Sequence, residues 1–60
     1  MKYDIMSALG GTYANAQLRL LDQVTAKIEE GWKPIGGVAL AFDPVTNNCY
    51  ASQAIIKEEE

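Results

Sequence analysis

The stretch EEGWKPIGG, residues 29–37, places the only tryptophan of the chain among one proline and three glycines. A bulky apolar side chain among residues that interrupt regular structure marks a corner with something to pack against. Gly31 stands where a left-handed residue closes a helix without a Cβ clash. Trp32 then follows as the second residue beyond the cap, a position that commonly folds an apolar group back onto the last turn. Its indole N–H is left at the rim for a partner. Pro34 stops the helix from resuming and favours an extended Lys33. Gly36 and Gly37 allow a bulge or a close backbone approach where a strand begins.

Working outward from this corner, the upstream segment NAQLRLLDQVTAKIEE, residues 15–30, has the periodicity of a helix of about four turns. Leu18, Leu20, Leu21, Val24 and Ile28 share one broad stripe, and Asn15 is positioned to cap the first turn. Before it, KYDIMSAL, residues 2–9, alternates as a strand does. Downstream, VALAF at 38–42 and CYASQAIIK at 49–57 read as two more strands joined through DPVTNN, a run of turn formers. The last two strands are expected to form an antiparallel hairpin. The order strand, helix, strand, strand predicts an α+β domain over residues 1–57, with one helix packed on a small antiparallel sheet. The acidic residues 58–60 are expected to fray as a solvated tail.

Sixty residues, 48% of them hydrophobic, make one small domain rather than a disordered chain. A chain of this length buries only about 60% of its unfolded surface, so a disulfide, a metal or a partner must help. Cys49 is the only cysteine and histidine is absent, which excludes an intrachain disulfide and makes a zinc site a poor fit. A partner chain is the leading remedy, and a homo-oligomer is its cheapest form. The outer face of the sheet, expected to carry Met6, Ala8, Ala39 and Ala41, is the candidate contact, with Tyr3, Ile5 and Leu9 turned toward the helix beside Val38, Leu40 and Phe42. A net charge of −3, with five scattered cations, argues against a duplex nucleic-acid partner. No apolar run approaches the ~20 residues of a membrane span, and residues 1–9 lack the pattern of a signal peptide. A lone thiol then suits the cytoplasm.

For chemistry the sequence offers little. Gly10, Gly11, Thr12 and Tyr13 lie between a strand and a helix, where free amides can cradle a phosphate and a tyrosine can stack on a base. The same residues make an ordinary turn, and no lysine follows as a P-loop requires. Cys49 has no histidine to activate it and is expected to be packed. Asp4, Asp22 and Asp43 fall on three separate elements, so no paired acid and base is expected. Trp32 and Tyr50 are either packing groups or ligand-facing aromatics. No catalytic residue, metal site or cofactor is expected.

The segments KYDI, LLDQVTAKIEEGWKPIGGVAL and YASQAIIKEE together resemble a bacterial and phage family known as domain of unknown function 1737. Gly31, Trp32, Pro34, Gly36 and Gly37 carry the specific part of the likeness. The LGGTYANAQ insertion and the long DPVTNN connection depart from the usual family pattern. The resemblance implies a fold and a bacterial or phage setting, and no activity. The expected function is that of a small non-enzymatic, homo-oligomeric protein that modulates a host or cellular partner protein. The alternative is a binder that sequesters a nucleotide immune signal between subunits.

Overall fold

A computed structural model describes residues 1–58; from residue 59 the expected acidic tail lies outside the described residues. Four elements follow one another: β1 (Lys2–Gly10), α1 (Tyr13–Glu29), β2 (Lys33–Asp43) and β3 (Asn48–Lys57). The three strands form one sheet in the order β1-β3-β2, with both pairings antiparallel. The fold is the α+β arrangement expected, with β3 inserted between the strands that the helix connects.

The helix starts two residues earlier than its periodicity suggested. Thr12, not Asn15, is the cap: it is extended, and its Oγ1 accepts the Asn15 amide N–H at 3.1 Å. The hydroxyl serves there because the backbone leaves the extended region at that residue and the third helical amide comes within its reach. The far end closes as the opening stretch predicts. Gly31 has φ +99, its amide donates to the Ile28 carbonyl, and the Trp32 amide donates to the Lys27 carbonyl, each at 3.0 Å. This pair of bonds is the Schellman closure, which satisfies carbonyls that the helix itself leaves open.

Trp32 follows half-buried, with the Lys27 ammonium 5.9 Å from its ring centroid. Trp32→Ala is therefore expected to cost about 2 kcal/mol, below the 3–5 of a fully buried aromatic. The melting temperature should fall by roughly 8–16 °C. A shift within two degrees of wild type would remove the indole from the stability of the fold and leave it free for binding.

Strand β2 begins at Lys33, five residues before the start expected at Val38, and the glycines lie within it rather than at its start. The register slips between Ile35 and Ala39: Ile35 pairs with Ala54 and Ala39 with Ser52, so Gly36, Gly37 and Val38 face Gln53 alone. Gly36 takes φ +69, which favours glycine. Pro34 is tolerated because β2 is an edge strand, where a missing N–H disrupts no central ladder.

The β2–β3 connection is held by Asp43. Its Oδ1 accepts the Val45 amide and its Oδ2 the Thr46 hydroxyl, each at 3.0 Å, while its carbonyl accepts the Asn47 amide at 2.7 Å. These donors, the Val45 amide first, hold the carboxyl below its ordinary value of 3.8. A depressed folded-state pKa contributes stability above the unfolded value, and that contribution is lost as pH falls through the folded one. Acidification below the ordinary carboxylate range should thus loosen the turn, seen as a pH-dependent shift of the Val45 amide resonance. Asp43→Asn should flatten that titration; an unchanged curve would assign it to another carboxylate.

The core is thin. Ala8, Ala16, Leu20, Cys49 and Ala51 pack together, with Met6 and Val24 against them, and Ile55 is fully buried. Alanines at the contact let α1 sit close to the sheet, over β1 and β3. This corrects the expected facing of β1. Met6 and Ala8 lie beneath the helix, while Tyr3, Ile5 and Leu9 occupy the opposite face. The physical reason is the close approach of the helix. Ala16 is wholly buried against a floor in which Ala8 pairs with Ala51, and the bulkier phase of β1 would hold the helix away.

Candidate functional site

The loop between β1 and α1 was the first candidate, and the structure shows what its residues do. A Cβ on Gly10 would lie 2.6 Å from the Ala16 amide nitrogen and 3.0 Å from atoms of Asn15. Gly10 is thus a point of close approach between strand and helix. Thr12 spends its hydroxyl on the Asn15 amide and its carbonyl on the Ala16 amide. One of the first-turn donors that a phosphate would seek, the Asn15 amide, is therefore engaged within the loop, while the Ala16 amide makes the first ordinary helical bond. Gly11 has open space around it, and Tyr13 remains partly exposed as the first helical residue.

Of the other groups singled out, Cys49 is a buried thiol in the core cluster. Asp4, Asp22 and Asp43 sit on β1, on α1 and at the end of β2, as their spacing predicts. Among the described residues, no three metal-binding side chains come together. Among the same residues, no helix is long and apolar enough to cross a membrane.

What the molecule presents instead is uncovered apolar surface, on both sides of the sheet. On the side away from α1, cross-strand pairing sets Tyr3 beside Ile56, Ile5 beside Ala54 and Leu9 beside Tyr50, with Ile35, Ala39 and Ala41 on β2 completing the face. Tyr3 and Ile5 keep 62% and 55% of their surface accessible among the described residues. At its centre, the Ser7 and Ser52 hydroxyls bond to each other at 2.9 Å. Charge is confined to the two ends of β2, at Lys33 and Asp43.

On the helix side, α1 barely reaches β2. The stripe from Leu20 round to Leu18 is wider than the surface the sheet offers, so one flank overhangs Val38. Between them lies a groove of about 610 Å³ lined by Ala14, Gln17, Leu18, Leu20, Leu21, Val24, Val38 and Gln53. Its floor residue, Gln53, is a nearly fully buried polar side chain. The Gln53 Nε2 donates to the carbonyl oxygens of Ile35 at 2.7 Å, Ala54 at 3.1 Å and Gly36 at 3.4 Å. It thereby pins the bulge of β2 from beneath.

Sequence reading missed both Gln53 and the groove. The signal for Gln53 was present: it is the one polar residue in the buried phase Cys49, Ala51, Gln53, Ile55 of β3. The groove had none, because it depends on where the helix sits across the sheet.

A family model described as domain of unknown function (DUF1737) matches residues 14–58. That span takes in the helix, its closure, the bulged strand and β3. No curated protein and no solved structure shows significant similarity to the chain.

Proposed function

The chain belongs to the DUF1737 family, and we propose that it acts as a small oligomeric interaction protein, joining copies through the open face of its sheet. It works by binding rather than by catalysis, and its target is a partner protein in the bacterial or phage setting that the family resemblance implies. The observation that carries this reading is the open face itself. Monomeric soluble proteins rarely leave so continuous an apolar surface in water.

The dimensions of the chain agree. Its radius of gyration is 12.3 Å, against about 10.4 Å for a compact domain of this length. Its accessible surface is 4194 Å², against about 3,800 Å² for a compact chain of its mass. The missing half of the core is what a second sheet would supply. If two open faces meet about an in-plane two-fold axis across the strands, Lys33 of each copy comes over Asp43 of the other, which selects that arrangement over a parallel stacking.

Non-catalytic action fits a chain whose one thiol lies beneath the helix and whose aspartates stand apart. Sequestering a nucleotide through Gly10, Gly11, Thr12 and Tyr13 has less in its favour, since Gly10 and Thr12 already serve the helix start. Light scattering behind size exclusion, repeated across a hundredfold dilution from micromolar concentration, tests the proposal. A mass of two or more chains is expected; a single-chain mass throughout would overturn it.

A further inference from the structure

The groove between α1 and β2 differs in kind from the open face. It is a trough open along one side to solvent, with apolar side chains on both walls, Gln53 at its floor and Gln17 also lining it. Gln53 is 94% buried by its 6% exposure, a state that a glutamine reaches only when its amide is used. The three carbonyls around Nε2 fix the amide orientation, because only the NH₂ end can donate to them. The oxygen end is left over. Gln53 Oε1 accepts no hydrogen bond from any described residue, and it is not sealed from solvent. Gln53 is one of the residues that line the groove.

An open acceptor at the floor of a largely apolar groove states what it would take. The groove volume of about 610 Å³ lies inside the roughly 300–1,000 Å³ range of small-molecule sites. None of the residues lining it is charged, so an anion or cation entering it would lose hydration without finding a partner. The bulge that shapes one wall is pinned by the same side chain that offers the acceptor, so the recess and its polar point form one built unit. We propose that this groove binds an uncharged small molecule with an aromatic or aliphatic body of two or three rings, seated between Leu21 and Val38, with one N–H or O–H donated to Gln53 Oε1. The site lies on the opposite side of the sheet from the oligomer contact, so it goes beyond that reading and does not depend on it.

Fluorescence titration with N-phenylnaphthylamine tests this, since that probe is neutral, apolar and carries one N–H. Two comparison probes change one property each: the N-methyl derivative lacks the donor, and anilinonaphthalene sulfonate adds a charge. Saturable enhancement at one probe per chain is expected, at least tenfold weaker with either comparison probe. Leu21→Glu, a change on an exposed groove wall, should abolish binding, and Ile5→Glu on the open face should leave it intact. Absence of saturable binding overturns the site. Equal affinity for the two amines overturns the role of Gln53. Loss of binding in Ile5→Glu with retention in Leu21→Glu places the probe on the open face and overturns the location. A drop in oligomer mass in Leu21→Glu alone shows a second copy in the groove and overturns the ligand reading, while a monomeric wild type that binds the probe refutes only the oligomer.

Discussion

Gly10→Ala is expected to destabilise the fold by about 3 kcal/mol, and Gly11→Ala by less than about 0.5. The two glycines are adjacent in sequence and both precede a helix, yet a methyl group meets different surroundings at each. At Gly10 it would lie 2.6 Å from the Ala16 amide nitrogen, and the other close atoms belong to the Asn15 backbone and Cβ. Backbone cannot swing aside as a flexible side chain can, so strand and helix must separate. That separation falls on the Ala8, Ala16 and Ala51 contact, where the thin core has no slack. At Gly11 there is nothing within 4 Å.

In a domain this small, 3 kcal/mol corresponds to a fall of roughly 12–24 °C in melting temperature, and it approaches the whole stability of the isolated chain. Thermal melts followed by circular dichroism decide the matter. Equal, small effects at both positions would mean that the loop is not packed and would return Gly10 to the ligand-binding candidates. A large effect at Gly10 alone explains the paired glycines through packing, with no phosphate required.

The fold was legible because its signals are local. The helix end was written in Gly31, Trp32 and Pro34, whose roles depend on neighbours within a few residues. Strand alternation and the DPVTNN turn are equally local; β1, β3 and the turn fell within a residue of where expected, while β2 began five residues early. What failed was the facing of β1. Its two phases, Tyr3-Ile5-Ser7-Leu9 and Met6-Ala8, both contain apolar residues, and size alone favoured the first as the core. The helix chose the second, because the contact is built on alanines and is close. That choice depends on the distance between helix and sheet, which no single strand encodes. The groove was hidden for the same reason: Leu18 and Leu21 read as core until the lateral position of α1 over β1 and β3 leaves them 60% exposed. Gln53 could have been found, since a lone amide in the buried phase of a central strand must have its hydrogen bonds provided for.

Ile5→Glu should convert the oligomer to monomer, with the dissociation constant raised by at least a hundredfold. Ile5 lies midway along β1, an edge strand of the open face, next to Ala54 on the central strand, with Ile35 beyond it on β2. If two such faces meet, roughly 600 Å² of apolar surface per subunit leaves water, worth on the order of 15 kcal/mol for each subunit before the costs of association. A glutamate at this position would bring one charge from each subunit into that contact. Burying an unpaired carboxylate costs several kcal/mol, and a two-fold interface incurs the cost twice, while each 1.4 kcal/mol is a factor of ten in affinity. Within one chain the same change is mild, because Ile5 is 55% exposed and takes no part in the core beneath the helix. The variant should therefore remain folded at concentrations where the monomer is stable, and its melting temperature should not depend on concentration. The wild type should melt higher as concentration rises, as coupling between folding and association requires. Leu21→Glu, equally exposed but on the opposite side of the sheet, should keep the wild-type mass. If Ile5→Glu retains that mass while Leu21→Glu loses it, the copies join through the groove and the open face must be covered by something else. If both variants and the wild type run as single chains, the apolar face is held for a different protein, and self-association is not how this fold completes its core.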